Sequence, residues 1–299
     1  MVLKCLETGK HVLSEKPVAT SVAEGLTLIP SAEKYTTGEK ALIWHVAENF
    51  ECEPVVSLTR RLIAEKKIGK VTGFILEAIN DLQKDYRFYQ TLWRKNPGHQ
   101  GGFLLDGGVH SAALVRSIIP VPLENVKGSV KVSGWAGLMR DYLSPEDTMN
   151  LSVFFGSGDE DNKSIIAPSA IGTFNLSVAA ATIAMGRKRS GFDIFGTEGW
   201  IELFNNVLSE KGDGSRIGKV KVHRRNKDGN DEVEEHEVPG SRSIVNEIDA
   251  FLRCIQGEAS EEEKAFGDPK RALWDVAFIE AGLNSKGNLV DLGKLLSGQ

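Results

Sequence analysis

The sequence predicts an α/β domain with part of a doubly wound parallel sheet, followed by an α+β domain with a large, predominantly antiparallel sheet flanked by helices. Strand-like and helix-like segments alternate over residues 1–69, which is typical of a parallel sheet. Residues 70–299 instead carry a series of short β-like runs closed by two helical segments. The last helix is expected either to stay with the second domain or to pack back on the first.

The first domain begins with a helical segment that ends at Gly9, since glycine readily adopts the left-handed conformation that stops a helix. His11–Leu13 follows as a short strand. Ser21 and Glu24 have the spacing of a capping box at the start of a helix that runs to about Tyr35. The next elements are a strand and a helix, Ala41–Val46 and Pro54–Lys66.

The second domain begins with an apolar strand, Val71–Ile79, and a polar, aromatic segment that runs through Trp93. Asp106–Ile119 has a helical pattern that Pro120 closes. Asp228-Gly229 is typical of a tight hairpin turn. The β-like runs of the sheet are Val126–Trp135, Met149–Phe155, Ile171–Ala181, Gly191–Gly196, Trp200–Phe204, Val220–Arg224 and Val233–Val238.

Two amphipathic helices close the chain. Ser243–Ile255 carries apolar residues at helical spacing. The second helix begins with Asp268 as N-cap and Pro269 in the first helical position, and it runs to Ser285.

Composition excludes several classes of function. The chain has 299 residues, of which 41% are hydrophobic and 26% charged, as in globular proteins that bury two cores. A net charge of −5 gives no electrostatic reason to expect nucleic acid or an anionic membrane as partner. With no signal-peptide pattern and no apolar run that could span a bilayer, we expect a cytoplasmic protein. The cysteines, Cys5, Cys52 and Cys254, lack metal-site spacing.

The first candidate for chemistry is Lys16, between Glu15 and Pro17 at the end of the first strand. Pro17 restricts the preceding lysine to extended geometry, so that its position is fixed. The carboxyl ends of parallel strands are also where open α/β sheets bind ligands. An ordinary surface lysine is the alternative interpretation.

The second candidate is the glycine-rich stretch 101–108, which contains Asp106 and is followed by His110. Glycine is unfavourable inside helices and suits a backbone that passes close to a ligand. Asp106 and His110 lie one helical turn apart and therefore share a face, where the carboxylate can orient the imidazole. An N-capping aspartate with a buried structural histidine explains this pair equally well.

Glu15-Lys16-Pro17, followed at this distance by a glycine-rich Asp106-x-x-x-His110, resembles the Gfo/Idh/MocA oxidoreductase family. The resemblance extends over essentially the whole chain. Further matching segments are residues 47–54 after the second strand, 68–71 at the crossing between domains, Trp93-Arg94 before the glycines, 196–199 in the large sheet, and the two closing helices.

The resemblance implies hydride transfer between NAD or NADP and a carbinol or carbonyl carbon of a sugar, cyclitol or related polyol. Lys16 would polarise the substrate oxygen, His110 would exchange the substrate proton, and Asp106 would hold the substrate and orient the histidine. The resemblance implies no metal. It also implies a homodimer or homotetramer that associates through the large sheet.

The same resemblance assigns binding residues. Those that would contact the cofactor are Glu15, Lys16, Pro17 and Asn49. Those that would contact the substrate are Trp93, Arg94, Asp106 and His110.

The sequence departs from the family pattern in two places. No Gly-x-Gly-x-x-Gly fingerprint precedes Glu15, so the resemblance predicts a partial Rossmann domain that binds NAD(P) weakly. Glu51 stands where similar family forms carry arginine, which would reverse a charge near the expected cleft. Two alternatives stay open: a truncated pseudoenzyme or scaffold that uses the sheet for oligomerisation, and an incomplete sequence whose start lies upstream.

Overall fold

The N-terminal part of the chain forms a small parallel sheet with helices around it. The computed structural model describes residues 1–119, 130–156, 164–209, 214–226 and 228–298. The elements of this part are α1 (Val2–Glu7), β1 (Val12–Glu15), α2 (Val22–Thr36), β2 (Trp44–Ala47), a 3-10 helix (Asn49–Cys52) and α3 (Pro54–Ala64). The register pairs Glu15 with Ala47, so that the carboxyl ends of β1 and β2 meet at one edge.

The rest of the chain builds the large sheet and the helices that cover it. Its elements are β3 (Val71–Ile79), α4 (Leu92–Lys95), α5 (Gly102–Ile118), β4 (Val130–Gly137), a 3-10 helix (Asp141–Leu143), β5 (Thr148–Phe155), β6 (Ile166–Ser177), α6 (Ile183–Arg189), β7 (Gly191–Gly196), β8 (Gly199–Leu208), β9 (Arg216–Arg225), β10 (Asp231–Pro239), α7 (Ser243–Gln256), α8 (Glu261–Ala265), α9 (Pro269–Ser285), β11 (Val290–Asp291) and α10 (Leu292–Leu296).

The large sheet has the strand order β10-β9-β8-β7-β3-β6-β5-β4-β11. Its described strand pairs are antiparallel except β3 with β6, which is parallel. A small parallel sheet and a large, mostly antiparallel sheet with helices confirm the predicted fold class.

Helices α5 and α9 cover one face of the large sheet and join it to the small one. Phe278 of α9 packs edge-on against Phe174 of β6, with ring centroids 4.9 Å apart. Gly108 of α5 allows a close approach, because a Cβ there would lie 2.6 Å from Leu176. Helix α9 also contacts α2 and β2, and Glu280 accepts a hydrogen bond from the backbone N–H of Val22. The last long helix therefore packs against both sheets.

Several element boundaries differ from the sequence-based expectation. Helix α5 begins at Gly102 rather than Asp106, because its first turn packs against neighbouring side chains where glycine is needed. A Cβ on Gly101 would lie 2.5 Å from Leu283, and one on Gly102 would lie 2.9 Å from Pro145. The sequence predicted none of the short elements α4, α6, α8, α10 and β11, which have too few residues for a clear periodicity. Residues 126–129 of the predicted strand lie outside the described residues.

The predicted capping box at α2 is formed only in part. Ser21 accepts a hydrogen bond from the backbone N–H of Glu24, as expected for an N-cap. The carboxylate of Glu24, however, accepts from the backbone N–H and hydroxyl of Thr20 instead of the backbone of Ser21. The predicted start of α2 is therefore correct, but the reciprocal contact of Glu24 goes to Thr20, one residue before the N-cap.

Candidate active site

A cleft of about 930 Å³ opens at the carboxyl end of β1. Glu15 and Lys16, which follow this strand end, line it together with Asp106 and His110 of α5 and with Trp93 and Arg94 of α4. The structure therefore brings together six of the residues that the sequence singled out, across about 90 positions of chain between Lys16 and Asp106.

Asp106 lies between two cations at the centre of this group. The Lys16 ammonium donates to the backbone carbonyl of Asp106 at 2.6 Å and to its Oδ1 at 2.9 Å. Arg94 Nε donates to Oδ2 at 2.7 Å. An ammonium has three N–H groups, so Lys16 keeps one donor for another oxygen in the cleft.

The electrostatics of this trio keep Asp106 ionised. Burial alone would raise the pKa of its carboxyl, but the hydrogen bond from Arg94 and the charge and hydrogen bond of Lys16 outweigh burial and lower the pKa. Asp106 is therefore a carboxylate at neutral pH, which accepts hydrogen bonds and holds both cations in place.

His110 is oriented by a different acid from the one that the sequence suggested. Its Nδ1 lies 2.7 Å from Oε1 of Glu48, while the contacts of the Asp106 carboxylate go to Lys16 and Arg94. The expectation that Asp106 orients the histidine is wrong in this respect. The reason is geometric, because the carboxylate of Asp106 binds the two cations. Glu48 directly follows β2 of the small sheet, and its carboxylate contacts the ring instead.

Aromatic side chains form one wall of the cleft. Tyr86 and Phe88 from the loop after β3 join Trp93, and all three rings are partly exposed. The Arg94 guanidinium lies over the Trp93 ring, 3.9 Å from its centroid, and 5.3 Å from that of Phe88. Stacking of this kind fixes a guanidinium plane while its polar edge stays available.

Apolar and polar side chains complete the lining. Ile79, Leu82, Phe103, Val178 and Ile183 are apolar, and Asn80, Asp81 and Ser190 add polar groups. A mostly apolar cleft with a few convergent polar groups is the usual form of a small-molecule site.

Two predicted cofactor contacts do not line the cleft. The amide of Asn49 donates to the hydroxyl of Ser243 at 2.8 Å, which ties the 3-10 helix to α7. Pro17 follows Lys16 but is absent from the lining residues of this cleft. Their assignment as cofactor contacts stays a prediction from the family resemblance.

Glu51 also lies elsewhere than expected. It is buried and does not line the cleft; it forms an ion pair with Arg116, which in turn contacts Asp275 through Nε at 2.8 Å. All three side chains are almost completely buried. Glu51 therefore does not reverse a charge in the cleft but neutralises a buried arginine.

The residue that sequence reasoning missed is Glu48. It directly follows β2, whose end lies beside the end of β1 in the parallel register. The rule that placed Lys16 at the ligand-binding edge applies equally to the end of this second strand. Its application to Glu48 would have predicted an acid near the cleft, although not its partner.

The described part of the chain contains neither a candidate membrane span nor a candidate metal cluster. No helix there is both long and apolar enough to cross a lipid bilayer. Among the same residues, no cluster of histidine, cysteine and carboxylate side chains could hold a metal ion.

Two models of one protein family match parts of this sequence. The family model for the GFO/IDH/MocA C-terminal domain matches residues 56–202. The model for the oxidoreductase family with an NAD-binding Rossmann fold matches residues 1–37.

Individual relatives agree with the family models. The chain is 34% identical over 154 residues to the dehydrogenase FPY6 of Fusarium mangiferae, an alignment that covers 51% of this chain and 42% of that protein. It is 32% identical over 112 residues to the scyllo-inositol 2-dehydrogenase (NADP(+)) of Bacillus subtilis, covering 36% of this chain and 28% of that protein. The chain thus spans less than half the length of these two relatives.

Among solved structures, an oxidoreductase from Thermotoga maritima superposes with a TM-score of 0.74 at 27% identity. This match covers 98% of the present chain and 74% of the Thermotoga chain. The two chains therefore share the same overall fold over the aligned region.

Proposed function

Because this chain belongs to the Gfo/Idh/MocA family of NAD-binding oxidoreductases, we propose that its cleft supports hydride transfer between NAD(P) and a carbinol or carbonyl carbon. The observation that carries this proposal is the contact of Lys16, Arg94 and Asp106, with His110 lining the same cleft. Lys16, Arg94 and α5, which carries both Asp106 and His110, come together from three separate parts of the chain. A lysine with a spare donor in the same cleft as a histidine is suited to acid–base work at an alcohol.

The residues present fit the nicotinamide end of a dinucleotide. Glu15 and Lys16 lie at the carboxyl end of a parallel strand and line the cleft, which is where such sheets bind nucleotides. Glu15 can accept hydrogen bonds from ribose hydroxyls, and Lys16 can donate to a ribose or substrate oxygen. When bound, NAD(P) would supply the hydride donor or acceptor.

The side chains of this protein would position the substrate and move its proton. The spare N–H of Lys16 would polarise the substrate oxygen, and His110 would take or return the hydroxyl proton. Asp106 would accept a hydrogen bond from a neighbouring hydroxyl through a remaining lone pair. Its fixed charge also keeps Lys16 and Arg94 in place before substrate binds, so the polar groups are preorganised.

We extend the proposal to the substrate class: a sugar, cyclitol or related polyol. The name of the Bacillus subtilis relative, a scyllo-inositol dehydrogenase, supports a ring that carries hydroxyls. The cleft supports it as well, since Tyr86, Phe88 and Trp93 could stack on the C–H face of such a ring. Lys16, Asp106 and the polar edge of Arg94, which line the same cleft, would then bind its hydroxyls.

We further propose that the protein forms a homodimer or homotetramer through the outward face of the large sheet. Helices α5 and α9 cover the other face. The outward face carries exposed apolar side chains on three strands: Ile75 of β3, Trp135 of β4 and Ile171 of β6. Acidic residues on the same face, among them Glu77 and Glu202, make it mixed rather than purely apolar.

Lys16→Met tests the function. The protein is assayed with NAD⁺ and NADP⁺ against a panel of inositols, hexoses and anhydrosugars, by the absorbance of the reduced nicotinamide. We expect turnover with at least one ring polyol and a loss of about 10²- to 10⁴-fold in kcat/KM for Lys16→Met. Lys10→Met, an exposed lysine just before β1, is the matched control and should retain activity.

Two results would contradict the proposal. One is equal activity of Lys16→Met and Lys10→Met on the best substrate. The other is an absence of both turnover and dinucleotide binding by the folded protein, which would favour the scaffold alternative.

A further inference from the structure

The contact with Glu48 determines which nitrogen of the His110 ring faces the cleft. Oε1 of Glu48 lies 2.7 Å from Nδ1 of the ring, and Glu48 is only 2% exposed. His110 lines the cleft, whereas Glu48 does not. The ring therefore has Nδ1 toward the protein interior, which leaves Nε2 as the nitrogen available to a ligand.

Glu48 is itself held rigidly. It directly follows β2, and its backbone N–H donates to the carbonyl of Val46 at 2.8 Å. Its Oε1 also accepts from the backbone N–H of Phe50 at 3.2 Å, which starts the 3-10 helix. A movement of the carboxylate away from the ring would therefore break the hydrogen bond from Phe50.

Phe50 fixes the plane of the same ring. It stacks on His110 with ring centroids 4.5 Å apart and an angle of 19° between the planes. One face of the imidazole is thus covered, and one nitrogen is occupied. Both contacts come from the start of the 3-10 helix that follows β2: Glu48 is its N-cap and Phe50 lies within it.

We propose that Glu48 is a positioning residue that fixes the tautomer and orientation of His110. In its carboxylate form Glu48 only accepts hydrogen bonds, so the proposal places the proton that the two groups share on Nδ1 of His110. In the neutral ring, Nε2 then has a lone pair that faces the cleft and can accept a hydroxyl proton. The buried carboxylate also stabilises the imidazolium that forms after this transfer. The part of this inference that concerns catalysis rests on the proposed function.

A purely structural role is the competing explanation. Glu48 caps the 3-10 helix, so its loss could act by loosening that turn alone. A readout on the histidine nitrogens separates the two explanations, because the tautomer responds to the ring's own partner and not to general stability. This readout also needs neither substrate nor cofactor.

The experiment measures the side-chain ¹⁵N shifts of His110 in protein labelled at its histidines, of which the chain has 6. The signal is assigned by its loss in His110→Asn. Glu48→Gln neutralises the acid at constant size, and Glu48→Ala removes it. Glu53→Gln is the matched control, since Glu53 is also buried in this segment but accepts from the hydroxyl of Ser241.

We expect the neutral ring of the unmodified protein to carry its proton on Nδ1. In Glu48→Ala the tautomer protonated on Nε2 should become populated, with a smaller change in the same direction in Glu48→Gln and none in Glu53→Gln. With an active substrate, Glu48→Gln should lower kcat by about 10- to 100-fold with little change in KM.

The inference is overturned if His110 carries its proton on Nε2 in the unmodified protein, or if neither Glu48 variant changes its nitrogen shifts. If the tautomer responds but no substrate is turned over by the unmodified protein, the positioning role stands and the proposed function fails. If the tautomer responds but kcat stays unchanged, Glu48 orients the ring without a role in turnover, which overturns the part of the inference that concerns catalysis.

Discussion

Glu247 of α7 is a destabilising carboxyl whose removal should strengthen the fold at alkaline pH. One of its side-chain oxygens, Oε1, is buried without a hydrogen-bond partner. Burial, followed by the charges of Glu48, Glu15 and Glu51, raises the pKa of Glu247 from the ordinary 4.5 to about 7. In the folded protein this group therefore resists ionisation.

The size of the effect follows from this difference. At about 1.4 kcal/mol for each pH unit, a pKa of about 7 corresponds to about 3 kcal/mol of destabilisation when the group is ionised. The side chain is only partly buried, so solvent screening reduces this to about 1–2 kcal/mol. The pKa of Glu247 is higher in the folded protein, about 7, than in the unfolded chain, about 4.5. The protonated carboxyl therefore contributes stability that is fully present below about pH 4.5 and is lost as the pH rises through about 7.

Glu247→Gln keeps the size of the side chain and cannot ionise. Its free energy of unfolding, measured in urea from about pH 5 to about pH 8, should exceed that of the unmodified protein by about 1–2 kcal/mol at the alkaline end. The advantage should shrink toward zero at the acidic end. Asp249→Asn, an exposed acid on the same helix, is the control and should show no such trend. An advantage of Glu247→Gln that is absent at pH 8, or equal at both ends, would refute the reasoning.

Two further predictions concern the core and the sheet. Arg116→Met leaves Glu51 and Asp275 buried without their partner, so the free energy of unfolding should fall by about 3–5 kcal/mol. Arg60→Met, which removes an exposed ion pair, should cost less than about 1 kcal/mol, and equal losses in urea titrations would contradict the role of burial. Ile171→Asp, on the outward sheet face, should convert an oligomer into a monomer by light scattering. A monomeric unmodified protein at micromolar concentration would rule out that interface.

Local sequence signals predicted most of the elements and part of the candidate site. Capping residues located the start of α2, and apolar residues at helical spacing located α7 and, together with its N-cap signals, α9. The residues Lys16, Asp106 and His110 were found from a strand-end rule, a glycine-rich stretch and a resemblance to a family. The structure places all three in one cleft.

The partners of those residues could not be predicted in the same way. The sequence offered Asp106 as the partner of His110 because the two share a helix face. In the fold, the carboxylate of Asp106 binds Lys16 and Arg94. The histidine is instead contacted by Glu48, which follows β2 of the small sheet. Which of several nearby acids binds a given nitrogen depends on distances of a few ångströms across elements, and no local pattern records these.

The sequence by itself determined the fold class, the family and the chemical character of the cleft. The fold class depends on periodicity and turn residues, whereas the family rests on the resemblance of Glu15-Lys16-Pro17 and of Asp106-x-x-x-His110 to its motifs. All of these are local properties of the chain. Only the tertiary structure decided that Glu51 pairs with Arg116 in the core, that Glu48 holds His110, and that the glycine run begins α5. Burial and charge pairing act between residues far apart in sequence, and they become defined only when packing fixes which groups lose contact with water.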